Sequence, residues 1–353
     1  MMMTTGGILP HGLRRAAIAA TAAVTLALFG TAVPTAARAA SPTVLKAAFY
    51  QPDGHPIIEL SKEVLDKIER ETEGRVKFRT YASSTLMPTT EMASGVNDGT
   101  AFMAIWYMPY MSKTIPLFDI ETIPVWTGGC KGIVESFDAG LNDVYTEALK
   151  RQGLTNVKVA GVSECLPRVL AVRKQVRTPA DSKGVKVRSV GAEAEMFKEI
   201  GASPVNMTMD QVYEAMSRGI IDGVTNAFMM IEDRSQFELV KHVTNMDLTS
   251  VLMHVIYNPS MLSKLEPRDR QVVEDGMKAV AEHVRVGLSK LNEQSVAKAT
   301  SSLGVQVYQP NAAERKEWSE AARSSRKAFE EKGAGDPLIK RGLDYVYRFN
   351  PQD

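Results

Sequence analysis

From residue 44 onward, short runs with a two-residue apolar period alternate with longer runs of helical period. No other feature limits the available folds as tightly. "VLKAAFY" (44–50), "RVKFRTYAS" (75–83), "FMAIWYM" (102–108), "VKVAGVS" (157–163), "RVLAVRKQVR" (168–177) and "GVKVRSVG" (184–191) read as strands. Between the first two, "HPIIELSKEVLDKIERETEG" sets Ile57, Leu60, Val64, Leu65 and Ile68 at helical spacing. Pro56 stands near the start of that run and Gly74 just past its end. Strands interleaved with helices over such a length predict an α/β architecture.

The second half holds three helices with their own signals. "MTMDQVYEAMSRG" (207–219) carries a Thr208/Gln211 capping box, a Met207/Val212 hydrophobic staple and Gly219 as a left-handed C-terminal cap. The run 268–304 is amphipathic for far longer than an ordinary helix. About 30 helical residues would reach some 45 Å, enough to brace two lobes. A last helix is expected over 311–333, opened by Asn311 and Glu314.

Residues 1–39 are expected to be a leader rather than part of the fold. Arg14 and Arg15 precede the alanine-rich apolar run "AAIAATAAVTLALFG", and "AARA" before Ala40 offers small residues for cleavage. That order describes a secretory signal peptide. An anchor needs about 20 strongly apolar residues, which this run does not supply. Without the leader the chain loses three arginines and no acid, so its formal charge moves from +1 to −2. A balance so near neutral argues against nucleic acid as a partner. The expectation is an exported, soluble, periplasmic protein, acting as a monomer.

Chemistry-bearing motifs are scarce. His55, His242, His254 and His283 are scattered without metal-ligand spacing, so no metal site is expected. "GVSEC" (161–165) has Cys165 where a nucleophile elbow needs glycine. There is no P-loop and no G-x-G-x-x-G, and no cofactor is expected. Cys130 and Cys165 are either a disulfide or two unpaired thiols.

The arginines are more informative. Arg188 lies within a strand-like run and Arg168 follows Pro167 at the start of another. Each is either solvated or set to hold an anion, since a guanidinium fork matches both oxygens of a carboxylate. Tyr50, Trp106, Tyr107 and Phe228 stand near strand ends, where they either line a cleft or fill a core. His55 either serves a second polar group or caps a helix.

Residues 178–226, "TPADSKGVKVRSVGAEAEMFKEIGASPVNMTMDQVYEAMSRGIIDGVTN", resemble the signature region of the solute-binding proteins of tripartite ATP-independent periplasmic (TRAP) transporters. That region runs D-x-K-G-x-K-x-R, F-x-x-x-G-A-x-P-V, a capped helix and G-x-x-D-G-x-x-N. Here these are Asp181 to Arg188, Phe197 to Val205 and Gly219 to Asn226. "ETEGRVKFRTYASSTL", "GVNDGTAFMAI" and "PLFDIETIPVW" continue the likeness upstream, so it covers nearly all of 44–310 in order.

The resemblance implies a two-lobed periplasmic binding protein with a central ligand cleft and a long helix across both lobes. The lobes would be 40–165 with about 256–290, and 166–255 with about 291–353. The protein would bind an organic acid and deliver it to small and large TRAP membrane subunits, without catalysis. Arg188 matches the arginine that clamps the ligand carboxylate, Arg168 a second, more variable one, and Asn226 an asparagine that bonds the same group. Thr225 stands where many members carry glutamate. If aromatic residues line the cleft, an acid with an apolar or aromatic body is favoured over a C4-dicarboxylate. On the residues alone, an exported carboxylate-acting enzyme and a ligand-sensing partner of a membrane receptor are the alternatives. The absence of a nucleophile–base pair or metal set favours the binding protein.

Overall fold

The computed structural model describes residues 41–351, apart from 126–128, 208 and 247. The expected leader and Thr208 of the expected capping box therefore lie outside the described residues. Ten strands are described: β1 Thr43–Ala48, β2 Val76–Tyr81, β3 Met103–Trp106, β4 Lys158–Val172, β5 Lys186–Arg188, β6 Ser203–Val205, β7 Gly223–Ala227, β8 His242–Thr244, β9 Ser250–Tyr257 and β10 Gln306–Tyr308. The α-helices are α1 Pro56–Glu71, α2 Met92–Asn97, α3 Gly129–Ser136, α4 Asn142–Arg151, α5 Gly191–Glu199, α6 Val212–Ser217, α7 Phe228–Glu232, α8 Pro267–Ser302, α9 Ala312–Gly333 and α10 Pro337–Phe349. The α/β architecture expected from the alternating runs is present.

The strands follow the path β2-β1-β3-β9-β4-β7-β5-β6, with β8 on β4 and β10 on β8. They form two sheet regions that share β4. Residues from Lys158 to Pro167 pair antiparallel with β9, and those from Arg168 to Val172 pair with β7. The sequence suggests two strands here because proline cannot donate to a ladder and is rare inside a sheet. The chain instead uses Pro167 where it changes partners: Pro167 is its last residue opposite β9 and Arg168 its first opposite β7.

Period two sorts the side chains on these strands. Met103 and Ile105 enter the core shared with α1 and α8, while Ala104 and Trp106 enter the core on the other face. Past Pro167, Val169 and Ala171 pack toward α6 and α7, and Leu170 and Val172 toward Phe197 and Trp318. Each sheet region is thus covered on both faces.

Helix α8 runs 36 residues, about 54 Å. Val273, Met277, Val280, Val284 and Leu288 pack in the core of the first region, and Ala299 in that of the second. This is the bracing helix expected from the sequence. In α9, Asn311 accepts from the backbone N–H groups of Ala313 and Glu314, and the Glu314 carboxylate accepts from the Asn311 N–H, which completes the expected capping box. Gly219, at φ 71°, ends α6 as anticipated. The sequence reading names no helix over 337–349. There α10 lays Leu338, Ile339, Leu343 and Val346 against Phe137 and Leu141 of the first region, whereas 291–353 was expected to go as a block with the second lobe.

Candidate functional site

Arg188 ends β5, and its side chain is 4% exposed. Lys186, on the same strand face, is exposed. The face therefore passes from solvent into an interior within three residues. Arg188 Nε donates to the Met207 carbonyl at 3.0 Å. The chain then turns into α5 at Gly191, whose φ of 62° and whose approach to Thr122 leave no room for a side chain: an added Cβ would lie 2.5 Å from Thr122 Oγ1. Thr122 Oγ1 in turn accepts from the Ala192 N–H at 3.0 Å.

This turn brings Glu193 beneath Arg168. Both side chains are 4% exposed, and Arg168 Nε lies 3.8 Å from Glu193 Oε1. Ser189 and Thr225 hydroxyls donate to Glu193 Oε2 at 2.7 and 2.5 Å. Arg168 Nη1 donates to the Thr225 carbonyl at 3.4 Å. Burial works against the Arg168 charge, but Glu193 and the Tyr107 phenol outweigh it and hold the pKa above its ordinary value. Arg188 is shifted the other way, lowered by burial and by the neighbouring Arg168. One buried cation has a carboxylate within 4 Å, and among the described residues the other has none.

Asn226 lies on β7, opposite Val169 of β4. Its Oδ1 accepts from the Ala227 N–H at 2.9 Å, and Nδ2 lies 3.4 Å from the Met209 sulfur. A thioether is a weak acceptor, so this amide keeps donor capacity. Arg188, Arg168 and Asn226 line one cavity together with Tyr50 and Tyr107, two of the aromatic residues anticipated there. Tyr110, Glu164, Arg234, Val251, Met209, Met230 and Met253 complete the lining. The cavity measures about 40 Å³. Small-molecule pockets run from roughly 300 to 1,000 Å³, so an organic solute enters only when the walls separate.

The other three anticipated residues do not line this cavity. Trp106 is fully buried in a core and its indole N–H donates to the Thr89 carbonyl at 2.9 Å. Its place on β3 turns it away because Met103 and Ile105 share the opposite face. Phe228 packs in the core beside α6, its ring centroid 4.8 Å from that of Phe237. His55 caps α1, with Nδ1 accepting from the Ile57 N–H at 3.2 Å. Burial and the nearby Arg234 lower its pKa to about 4, and Nε2 stands 3.6 Å from Asp233.

Three polar lining groups, besides four apolar ones, escape the sequence reading. Glu164 lies on the same strand face as Arg168, four residues ahead of it, inside the segment that proline makes look like a break. Arg234 follows the short helix α7 and carries no motif. Tyr110 follows β3 in a 3-10 turn. Cys130 and Cys165 are joined by a disulfide, S–S 2.17 Å, which ties the start of α3 to β4 beside Glu164. Among the described residues no group of three or more His, Cys, Asp or Glu is arranged to hold a metal ion. Likewise, no described helix is long and apolar enough to cross a membrane.

Residues 47–332 match the family DctP, described as bacterial extracellular solute-binding protein, family 7. The chain is 25% identical over 250 residues to the 2,3-diketo-L-gulonate-binding periplasmic protein YiaO of Escherichia coli K12, covering 70% of this chain and 75% of that protein. Among solved structures, it is similar to a TRAP periplasmic solute-binding protein from Chromohalobacter salexigens with bound D-glucuronate. That likeness has a TM-score of 0.76 at 18% identity, over 86% of this chain and 99% of the other. A Bordetella pertussis extracytoplasmic solute receptor, DctP7, which binds pyroglutamic acid, gives a TM-score of 0.75 at 21% identity over 86% and 99%. These are two-lobed α/β proteins, and the two sheet regions joined through β4 and braced by α8 are that fold. The chain belongs to the DctP family of extracellular solute-binding proteins, the binding components of TRAP transporters.

Proposed function

We propose that this protein captures an organic acid by its carboxylate in the cavity between the two sheet regions and hands it to TRAP membrane subunits. The observation that carries this reading is the convergence of Arg188, Arg168 and Asn226, from three different strands, on one buried space. A carboxylate entering that space loses its hydration, which is costly unless fixed donors replace the water. Arg188 offers a buried guanidinium with no acidic partner in contact among the described residues, and Asn226 a neutral donor beside it. The pairing of Arg168 with Glu193 holds the second arginine in place rather than leaving it to seek the ligand. The ligands named for the similar proteins, 2,3-diketo-L-gulonate, D-glucuronate and pyroglutamic acid, are organic acids and support this class.

In this reading the protein is a carrier without catalysis. It works in the periplasm after loss of residues 1–39. The first lobe takes 40–165 and about 256–290, joined by α10 on the strength of its packing. The second lobe takes 166–255 and the remainder from about 291 to the end of α9. Ligand binding draws the two together as a hinge closure. Titration calorimetry of the mature protein against organic acids tests the assignment. Arg188→Ala is expected to weaken binding of the preferred acid by about 100-fold or more, as loss of a bidentate charge-assisted pair implies. Unchanged affinity would remove Arg188 from the site.

A further inference from the structure

Glu164 is the acid in a cavity otherwise lined by three arginines, one amide and apolar or phenolic groups. It stands on the part of β4 that pairs with β9, directly opposite Met253, which also lines the cavity. The residue is 1% exposed, and its Oε1 has no hydrogen-bond partner among the described residues. Arg234 does not take it: the Arg234 guanidinium turns to the Met230 carbonyl at 3.5 Å. A buried carboxyl group that lines a binding cavity and has an oxygen without a partner is an acceptor kept for something that enters.

From this geometry we propose that Glu164 is a specificity-determining residue that hydrogen-bonds a hydroxyl group on the carbon skeleton of the bound acid. The proposal rests on the carboxylate reading above and narrows it. Arg188 and Asn226 hold the anionic end from the second sheet region, and Glu164 reads the body of the ligand from the first. An apolar or aromatic body would leave Oε1 without a partner in the closed cavity, and a site with such a buried polar group discriminates against ligands that cannot meet it. Burial pushes the Glu164 carboxyl up to about 8, against the pull of Arg234 and Arg168, with Asp233 adding to the rise. Near neutrality it therefore keeps a proton for much of the time and offers both a donor and an acceptor, which suits a hydroxyl. A second carboxylate would find Arg234 and Arg168 attractive but would meet Glu164 as a competing acid once the proton leaves. The other titratable groups around the space are Tyr50, Tyr107, Tyr110 and Arg188.

The test uses matched acids: lactate with propanoate, D-gluconate with hexanoate, and adipate and 6-aminohexanoate as the diacid and amino acid arms. Calorimetry is run on the wild-type protein, Glu164→Gln, Glu164→Leu and Arg188→Ala. The wild type is expected to bind at least one hydroxylated acid about tenfold or more tightly than its plain counterpart. Glu164→Leu is expected to erase that preference while sparing the plain acid, and Glu164→Gln to keep much of it. Preference for a plain acid, for adipate or for 6-aminohexanoate in the wild type would overturn the hydroxyl assignment, and needs no variant to fold. So would an unchanged preference in Glu164→Leu. Loss of binding in Arg188→Ala alongside indifference to Glu164 would leave the carboxylate reading standing and remove only this one. Binding of no acid in the panel by the wild type would overturn both.

Discussion

The two arginines that face the cavity occupy different electrical settings. Arg168, on β4, lies over a buried carboxylate that two hydroxyls hold in place. Arg188, on β5, has a backbone carbonyl and a cationic neighbour. Their burial is nearly the same, at 3% and 4%. Residue type and depth therefore do not separate the two arginines; the acid beside one of them does. A buried charge that the fold has already neutralised contributes shape, and one left open contributes affinity.

Substitutions should separate these roles. Arg168→Ala is expected to lower stability most, by about 3 kcal/mol, because it strands the buried Glu193 carboxylate. Urea unfolding checks this, and a wild-type midpoint would break the distinction. Arg188→Ala should lose the ligand while its unfolding midpoint stays at or above the wild-type value, since it removes an uncompensated buried charge. A large loss of stability there would make the two arginines alike. Asn226→Ala, read by calorimetry, should weaken binding about tenfold and leave the fold alone, as loss of one donor implies. A further effect is on the pH dependence of stability. Between the ordinary carboxylate range and about 8, folded Glu164 holds a proton that the unfolded chain has released. Stability contributed by that group is thus present at low pH and lost as pH rises through the window, at no more than about 1.4 kcal/mol per unit. Glu164→Gln should flatten this slope in melting curves taken from pH 5 to 9, and an unaltered slope would mean that Glu164 is ionised throughout.

Much of the architecture was legible because local rules and tertiary packing agree. Helix α1 carries its apolar stripe, its proline start and its glycine stop in the sequence, and α9 carries a complete capping box. The order of motifs singled out Arg188 and Asn226, which the fold brings to one cavity. The errors share one cause. Period two says that Trp106 and Met103 point to opposite faces, but not which face meets a cavity, and Trp106 went to a core. Phe228 failed for a related reason, since it begins a short helix whose apolar side turns toward α6. Glu164 was hidden because Pro167 makes a continuous strand look broken, and Glu193 because a helical acid five residues past a strand gives no sign that it will fold back under Arg168.

The handover of β4 from one partner strand to another has a mechanical consequence. Proline at the crossing point supplies no N–H to the ladder, so one donor is missing just where the ribbon passes between the two halves. Glu164 lies before that point and Arg168 after it, only four residues apart along one strand. Under the proposed hinge closure, a solute long enough to touch both would span the joint, and one too short would leave it free to swing.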